Sequence, residues 1–124
     1  MIIFDIDGFK SYNDTFGHLA GDNILREVGT LIKKNIRENV DFGFRYGGDE
    51  FTIILNEVDL NKAVEVAERI KNGFRNLNLK NLSLSIGVSQ YHNEDLDNLI
   101  ARTDEIMYNA KKSGGNRVLS EKDK

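Results

Sequence analysis

Asp5 and Asp7 in Phe4-Asp5-Ile6-Asp7, with Asp49 and Glu50 in Arg45-Tyr46-Gly47-Gly48-Asp49-Glu50-Phe51, are the carboxylates whose spacing could do chemistry. Side chains alternate along a strand, so Asp5 and Asp7 point the same way at the end of the apolar run Met1-Ile2-Ile3-Phe4. Two β-type segments, Phe42 to Tyr46 and Phe51 to Leu55, flank Gly47-Gly48. Glycine reaches positive φ without a Cβ clash, so the chain reverses there as a hairpin. The turn lifts Asp49 and Glu50 to the rim of a sheet. If the first strand neighbours the hairpin, these acids approach one another. Carboxylates so placed repel, and each raises the pKa of the others unless a cation offsets them. Oxygen-only ligands without His or Cys suit Mg2+, which keeps waters and also binds substrate phosphates. The competing reading is a scatter of solvated acids, the usual state of carboxylates at turns.

The elements that must position these groups follow from the pattern of apolar residues. Phe9 to Phe16 reads as a short helix, interrupted by Gly17-His18-Leu19-Ala20-Gly21. From Asp22 a second helix carries Ile24, Leu25, Val28, Leu31, Ile32 and Ile36 on one stripe. Leu60 to Leu77 forms another, with Ala63, Val66, Ala67, Ile70 and Phe74 inward. Leu82, Leu84, Ile86 and Val88 alternate with Ser83, Ser85, Gly87 and Ser89, the period of a half-buried strand. A last helix spans Leu96 to Lys112, with Leu96, Leu99, Ile100, Thr103, Met107 and Ala110 on one face. Gly114-Gly115 stops it, and Arg117-Val118-Leu119 adds a short strand. The order β-α-α-β-β-α-β-α-β predicts an α/β (α+β) domain. Its core is a mixed, largely antiparallel five-stranded sheet flanked by helices, compatible with the ferredoxin-like, palm-type plan of nucleotidyl cyclases and polymerases.

The bulk composition narrows the function classes. A chain of 124 residues with 40% hydrophobic and 30% charged residues is one ordinary globular domain. A formal net charge of -3 argues against a broad basic face for nucleic acid. No apolar run approaches the roughly 20 residues that cross a bilayer, so no direct membrane insertion is expected and a cytoplasmic domain is the default. Cysteine and proline are absent, which removes disulfides and thiolate metal sites. Domain boundaries are expected at 1–119, with a frayed tail over 120–124.

The string Arg45 to Phe51 resembles the hallmark of the GGDEF domain, the diguanylate cyclase family. The resemblance runs from Phe4-Asp5-Ile6-Asp7 to Gly115-Asn116. It implies condensation of two GTP into cyclic di-GMP with release of pyrophosphate, in a homodimer of two facing domains, each contributing a half-site. Asp5, the carbonyl of Ile6, and Asp49 would hold Mg2+ or Mn2+. Asp49 would also accept the proton of the attacking hydroxyl, with Glu50 a second acidic member of the site. Asn13 in Asn13-Asp14-Thr15-Phe16-Gly17-His18 and Asp22 in Gly21-Asp22 match the family's base-pocket positions. A carboxylate accepts from guanine N1–H and N2–H2, and an Asn amide both donates and accepts. Read without the resemblance, Asp22 is a helix cap and Asn13 a turn residue. His18 is placed beside the nucleotide by resemblance and is otherwise a structural histidine.

For the phosphates, the N–H groups of Gly8-Phe9-Lys10 face a helix start, and Lys10 adds a point charge or is simply solvated. Lys111, in Tyr108-Asn109-Ala110-Lys111-Lys112-Ser113-Gly114-Gly115-Asn116, matches the family's phosphate-binding lysine. The arginine expected four residues later is replaced by Gly115, which cannot supply a bidentate fork. The family's Arg-x-x-Asp inhibitory site falls on Glu38-Asn39-Val40-Asp41, so little product inhibition is expected. The family also implies a helix and an Asn-Arg-containing loop before the first strand. The chain instead opens on Met1-Ile2-Ile3-Phe4, and a domain shortened at its N-terminus, belonging to a protein with an upstream sensor domain, is expected. Two other readings remain: a non-catalytic GTP- or cyclic-dinucleotide-binding relay module, and a polymerase palm without a basic template channel.

Overall fold

The apolar run Ile2–Asp7 forms β1, the middle strand of a five-stranded sheet ordered β2-β3-β1-β4-β5 in the computed structural model, which describes residues 1–123. The elements follow in the order α1 (Phe9–Phe16), α2 (His18–Asn35), β2 (Phe42–Gly47), β3 (Glu50–Ile54), α3 (Leu60–Arg75), β4 (Ser83–Val88), α4 (Leu96–Lys112) and β5 (Arg117–Ser120). β1 pairs antiparallel with β3 and β4, β2 antiparallel with β3, and β4 parallel with β5. The expected mixed, largely antiparallel sheet with flanking helices is therefore present.

Period-two alternation divides the sheet into two faces. Ile2, Phe4 and Ile6 of β1, Phe51 and Ile53 of β3, and Leu84, Ile86 and Val88 of β4 join one core with Ile24, Val28 and Ile32 of α2. Ala63, Val66, Ala67, Ile70 and Phe74 of α3 complete it. Phe4 and Phe51 stack with ring centroids 5.2 Å apart. This apolar body is what holds the C-terminal end of β1 and the hairpin in fixed relation.

The opposite face of β4 departs from the expectation of a half-buried strand: Ser85, Gly87 and Ser89 are as buried as the apolar residues between them. The reason is the close approach of α4. A Cβ on Gly87 would stand 2.6 Å from the Thr103 carbonyl oxygen and 3.0 Å from Met107 Cα. The small residues mark a backbone-on-backbone contact, with Ser89 Oγ and Thr103 Oγ1 hydrogen bonded across it. Asp95 caps α4 by accepting from Asn98 N at 2.8 Å, and Asp59 caps α3 by accepting from Lys62 N at 2.8 Å. Leu96, expected inward, is 61% exposed in the first turn of α4, where it lines an open groove with Ile3, Thr52 and Ile54 of the sheet.

Two further boundaries move. α2 begins at His18 rather than Asp22, because Gly17 alone, at φ 89°, makes the break, and Gly21 is buried inside the helix. At the other end, Ser120 belongs to β5, and Glu121 accepts from Gln90 N, His92 Nε2 and Arg102 Nη1. Glu121 is thus tied to the β4–α4 connection and to α4, and its N–H donates to the Val88 carbonyl of β4 at 3.1 Å; Lys124 lies outside the described residues.

Candidate functional site

The β1–β3 ladder ends on the Asp5–Glu50 pair, which sets these acids opposite each other on adjacent strands. From Ile6 onward β1 is bonded only to β4. Gly48, at φ 53°, takes the left-handed conformation of the turn, and Arg45 Nε donates to its carbonyl at 2.7 Å. That bond pins the loop presenting Asp49 beside Glu50. From the other side the last turn of α4 delivers Lys111, whose Nζ lies 2.6 Å from Asp5 Oδ2. The other carboxylate oxygen, Asp5 Oδ1, is buried without a hydrogen-bond partner.

These groups perturb one another. Burial pushes the Asp5 carboxyl above its ordinary range, the Lys111 ammonium pulls it back, and the charges of Asp49 and Asp7 push it up again. Glu50 is raised by burial first, then by Asp104, Asp5 and Asp49. Burial acts to lower Lys111, but its contact with Asp5 and the charges of Asp7 and Asp49 outweigh that and raise it. A cluster whose repulsion is relieved by one ammonium still favours added positive charge. The orphaned Asp5 oxygen beside further carboxylates suits the chemistry of a hard divalent cation, for which Asp5, Asp49 and the Ile6 carbonyl would be the donors. Among the described residues no three His, Cys, Asp or Glu side chains are grouped so that they alone could hold a metal ion. Water and phosphate oxygens would fill the remaining positions, as Mg2+ prefers.

Asp7 takes a different part from its strand neighbour. It accepts from Ser83 Oγ and Ser85 Oγ, each at 2.7 Å, and from Asn116 N at 3.1 Å, tying β1 and β4 to the turn after α4. Asp104, which sequence reasoning passed over, adds a carboxylate beside Glu50. Its signal was available: it lies two helical turns before Lys111 and so on the same side of α4.

α1 and α2 carry the expected base-pocket residues. Asn13 packs against Gly21, where a Cβ would stand 2.8 Å from Asn13 Cγ, and Asn13 Oδ1 is buried without a partner. Asp22 is exposed one turn inside α2, so it does not cap the helix, whose N-cap is Gly17. It lines a groove of about 620 Å³ together with Leu25, Arg26, Arg45 and Phe51. His18 opens α2 and is exposed. Phe9 puts its ring into the core, so only its backbone N–H remains for an anion. α1 starts at Phe9 with Gly8 as N-cap and no side-chain cap, and Lys10 is exposed in its first turn.

Gly115 is buried at φ 70°, and a Cβ there would meet Asp7 Oδ2 at 2.9 Å. The turn therefore suits glycine, and the guanidinium of Arg117 reaches back over it, Nε donating to the Gly115 carbonyl at 3.2 Å. In the Glu38–Asp41 window, Asp41 is buried and engaged by its own loop and by the segment after β3. It accepts from Arg37 N, Nε and Nη2 and from Asn56 N. The Arg37 contact, then backbone donors, hold its carboxyl at about 2, well below the ordinary 3.8. Because the folded pKa is depressed, this contribution to stability is complete above about pH 4 and is lost as pH falls toward 2. Asp41→Ala removes the acceptor of four donors on Arg37 and Asn56 and should lower stability by about 1–3 kcal/mol at neutral pH. Urea unfolding at pH 7 and pH 3 checks both statements: the variant's deficit should shrink at the lower pH.

The family model described as "Diguanylate cyclase, GGDEF domain" matches residues 1–117. Diguanylate cyclase DosC of Escherichia coli (strain K12) is 44% identical over 126 residues, covering 95% of this chain and 27% of the relative. The chain thus spans about a quarter of that protein's length. The active GGEEF domain of a diguanylate cyclase from Vibrio cholerae superimposes with a TM-score of 0.87 at 34% identity, covering 96% of this chain and 80% of the other. The GGDEF domain of DgcB from Caulobacter crescentus, solved in complex with c-di-GMP, gives a TM-score of 0.86 at 29% identity, with 96% and 75% covered.

Proposed function

The chain belongs to the GGDEF domain family of diguanylate cyclases, and from that premise we propose that it condenses two GTP into cyclic di-GMP, releasing two pyrophosphates. The observation that carries this reading is the meeting of Asp5, Glu50 and Lys111 at the Gly48 turn, with one oxygen of Asp5 left unsatisfied. Asp22 and Asn13 accept and donate along the guanine edge, an arrangement that leaves adenine poorly satisfied. The N–H groups of Phe9 and Lys10, with the Lys10 and Lys111 ammonium groups, hold the phosphate chain at the start of α1. His18 lies beside the nucleotide, where α2 begins. Asp5, Asp49 and the Ile6 carbonyl would hold Mg2+ or Mn2+, which would lower the pKa of a nearby hydroxyl and offset phosphate charge.

The 3′-oxygen of one GTP attacks the α-phosphorus of the other. A phosphodiester bond forms, the bond to pyrophosphate breaks, and Asp49 takes the hydroxyl proton, with Glu50 beside it. One domain binds one GTP, so the site is completed by a second domain facing it antiparallel. The activity then depends on domain concentration, which an upstream sensor domain in a longer protein would set. No helix among the described residues is long and apolar enough to cross a membrane; the proposed use of GTP accords with a domain that works in the cytoplasm.

The test is direct: concentrated protein with GTP and Mg2+, separated by chromatography, should yield cyclic di-GMP. GTP retained without turnover would instead favour the non-catalytic relay module, which the missing arginine at Gly115 supports. Since Asp41 is occupied by Arg37 and Asn56 and Glu38 carries the wrong charge for a phosphodiester, added cyclic di-GMP should inhibit weakly. Initial rates should fall by less than about half at a product concentration equal to the Kd of a micromolar inhibitor. Tight inhibition relieved by Arg37→Ala would contradict this.

A further inference from the structure

Lys111 and a divalent cation make the same demand on Asp5. The ammonium already sits 2.6 Å from Asp5 Oδ2, while Oδ1 has no partner. The Asp5 side chain is 14% exposed and is carried on β1, whereas that of Lys111 is 37% exposed at the end of α4. One partner is fixed by the sheet and the other hangs on a flexible four-carbon stem with three rotatable donors. Asp5 lacks the support of a full cage, since no three metal-binding side chains converge among the described residues. Mg2+ also sheds its waters reluctantly. A cation arriving alone must therefore displace a formed ion pair in exchange for few protein ligands. A cation arriving on a triphosphate brings oxygens that give the displaced lysine a new partner.

We propose that Lys111 is a stand-in cation that holds Asp5 in the absence of ligands, so that the domain binds its divalent metal more weakly alone than together with a nucleotide. The inference rests on the preceding assignment of Asp5 and Asp49 as metal-holding residues and deepens it. Lys111 is then more than a phosphate contact: it couples the two ligands by exchanging Asp5 for the phosphates. Free metal and lysine compete for one carboxylate, whereas metal and nucleotide favour each other.

The coupling is read by titrating nucleotide-free protein with Mn2+ and measuring the unbound ion by electron paramagnetic resonance. Lys111→Met keeps the length of the stem and removes the charge, and should bind Mn2+ on the order of tenfold more tightly than the unaltered protein. Lys111→Arg keeps a cation against Asp5 and should stay as weak as the unaltered protein. With a non-hydrolysable GTP analogue present, the advantage of the Met variant should vanish or reverse, because its phosphate contact is gone. A Met variant that binds free Mn2+ no more tightly than the unaltered protein overturns the stand-in role, provided that both bind Mn2+ with the analogue. Absence of Mn2+ binding in every variant, analogue included, would overturn the metal assignment at Asp5 and Asp49 and this inference with it.

Discussion

Asp49→Asn is expected to reduce cyclic di-GMP formation by about a hundredfold to ten-thousandfold, the range associated with removing a positioned general base. The amide is nearly isosteric but cannot take a proton, and it is a poorer ligand for a hard cation. Its position explains why the loss should fall on activity and not on folding. Asp49 lies in the turn between β2 and β3, only partly buried, and the turn is pinned by Arg45 and Gly48. Removing the Asp49 charge also relieves Asp5 and Glu50, both of which it helps to raise. The melting temperature should therefore hold or rise slightly while product formation collapses. Discontinuous assay at saturating GTP and Mg2+, alongside a thermal melt, reads both. A variant retaining a tenth of the original rate would remove Asp49 from the chemistry.

Gly87→Val is expected to be the most damaging single change to the fold, costing about 3 kcal/mol or more. β4 is an interior strand, and α4 crosses it so closely that any Cβ at this position meets the Thr103 carbonyl at 2.6 Å and the Met107 backbone as well. Those atoms belong to a helix interior and cannot rotate aside, so the whole of α4 must lift. Lifting it breaks the buried Ser89–Thr103 bond and draws Lys111 away from Asp5. Gly29 supplies the contrast: a Cβ on that α2 residue meets nothing within 4 Å. Gly29→Ala should be neutral or stabilise by up to about 1 kcal/mol through helix propensity. Urea midpoints of the two variants separate steric exclusion from a general dislike of losing glycine.

These two glycines show where reading the chain succeeds and where it stops. The apolar periodicity of α3 and α4 and the Gly-Gly pair of the hairpin are local signals, and the elements they predict stand close to their expected bounds. The alternation of Ser and Gly along β4 was equally visible, but its meaning was not. Small residues look the same whether they face water or the backbone of a packed helix, and only the position of α4 distinguishes them. Asp22 fails as a helix cap for a related reason. A glycine inside a helix and a glycine that breaks one differ in φ, which residue type does not specify.

What the sequence determined by itself is the set of chemical groups: paired carboxylates at a strand end and a hairpin, an Asn-Asp pair, a lysine near the C-terminus, and the motif that names a family. Those are properties of residue types and short spacings, fixed by covalent order. Tertiary structure alone decided which of the groups meet. It set Asp5 opposite Glu50, gave Asp7 to two serines and a turn, brought Asp104 into the cluster, and placed Lys111 on Asp5 across more than a hundred intervening residues. The reason is physical: charges act through space, over a few ångströms, and distances of that kind are set by packing and strand register rather than by position along the chain.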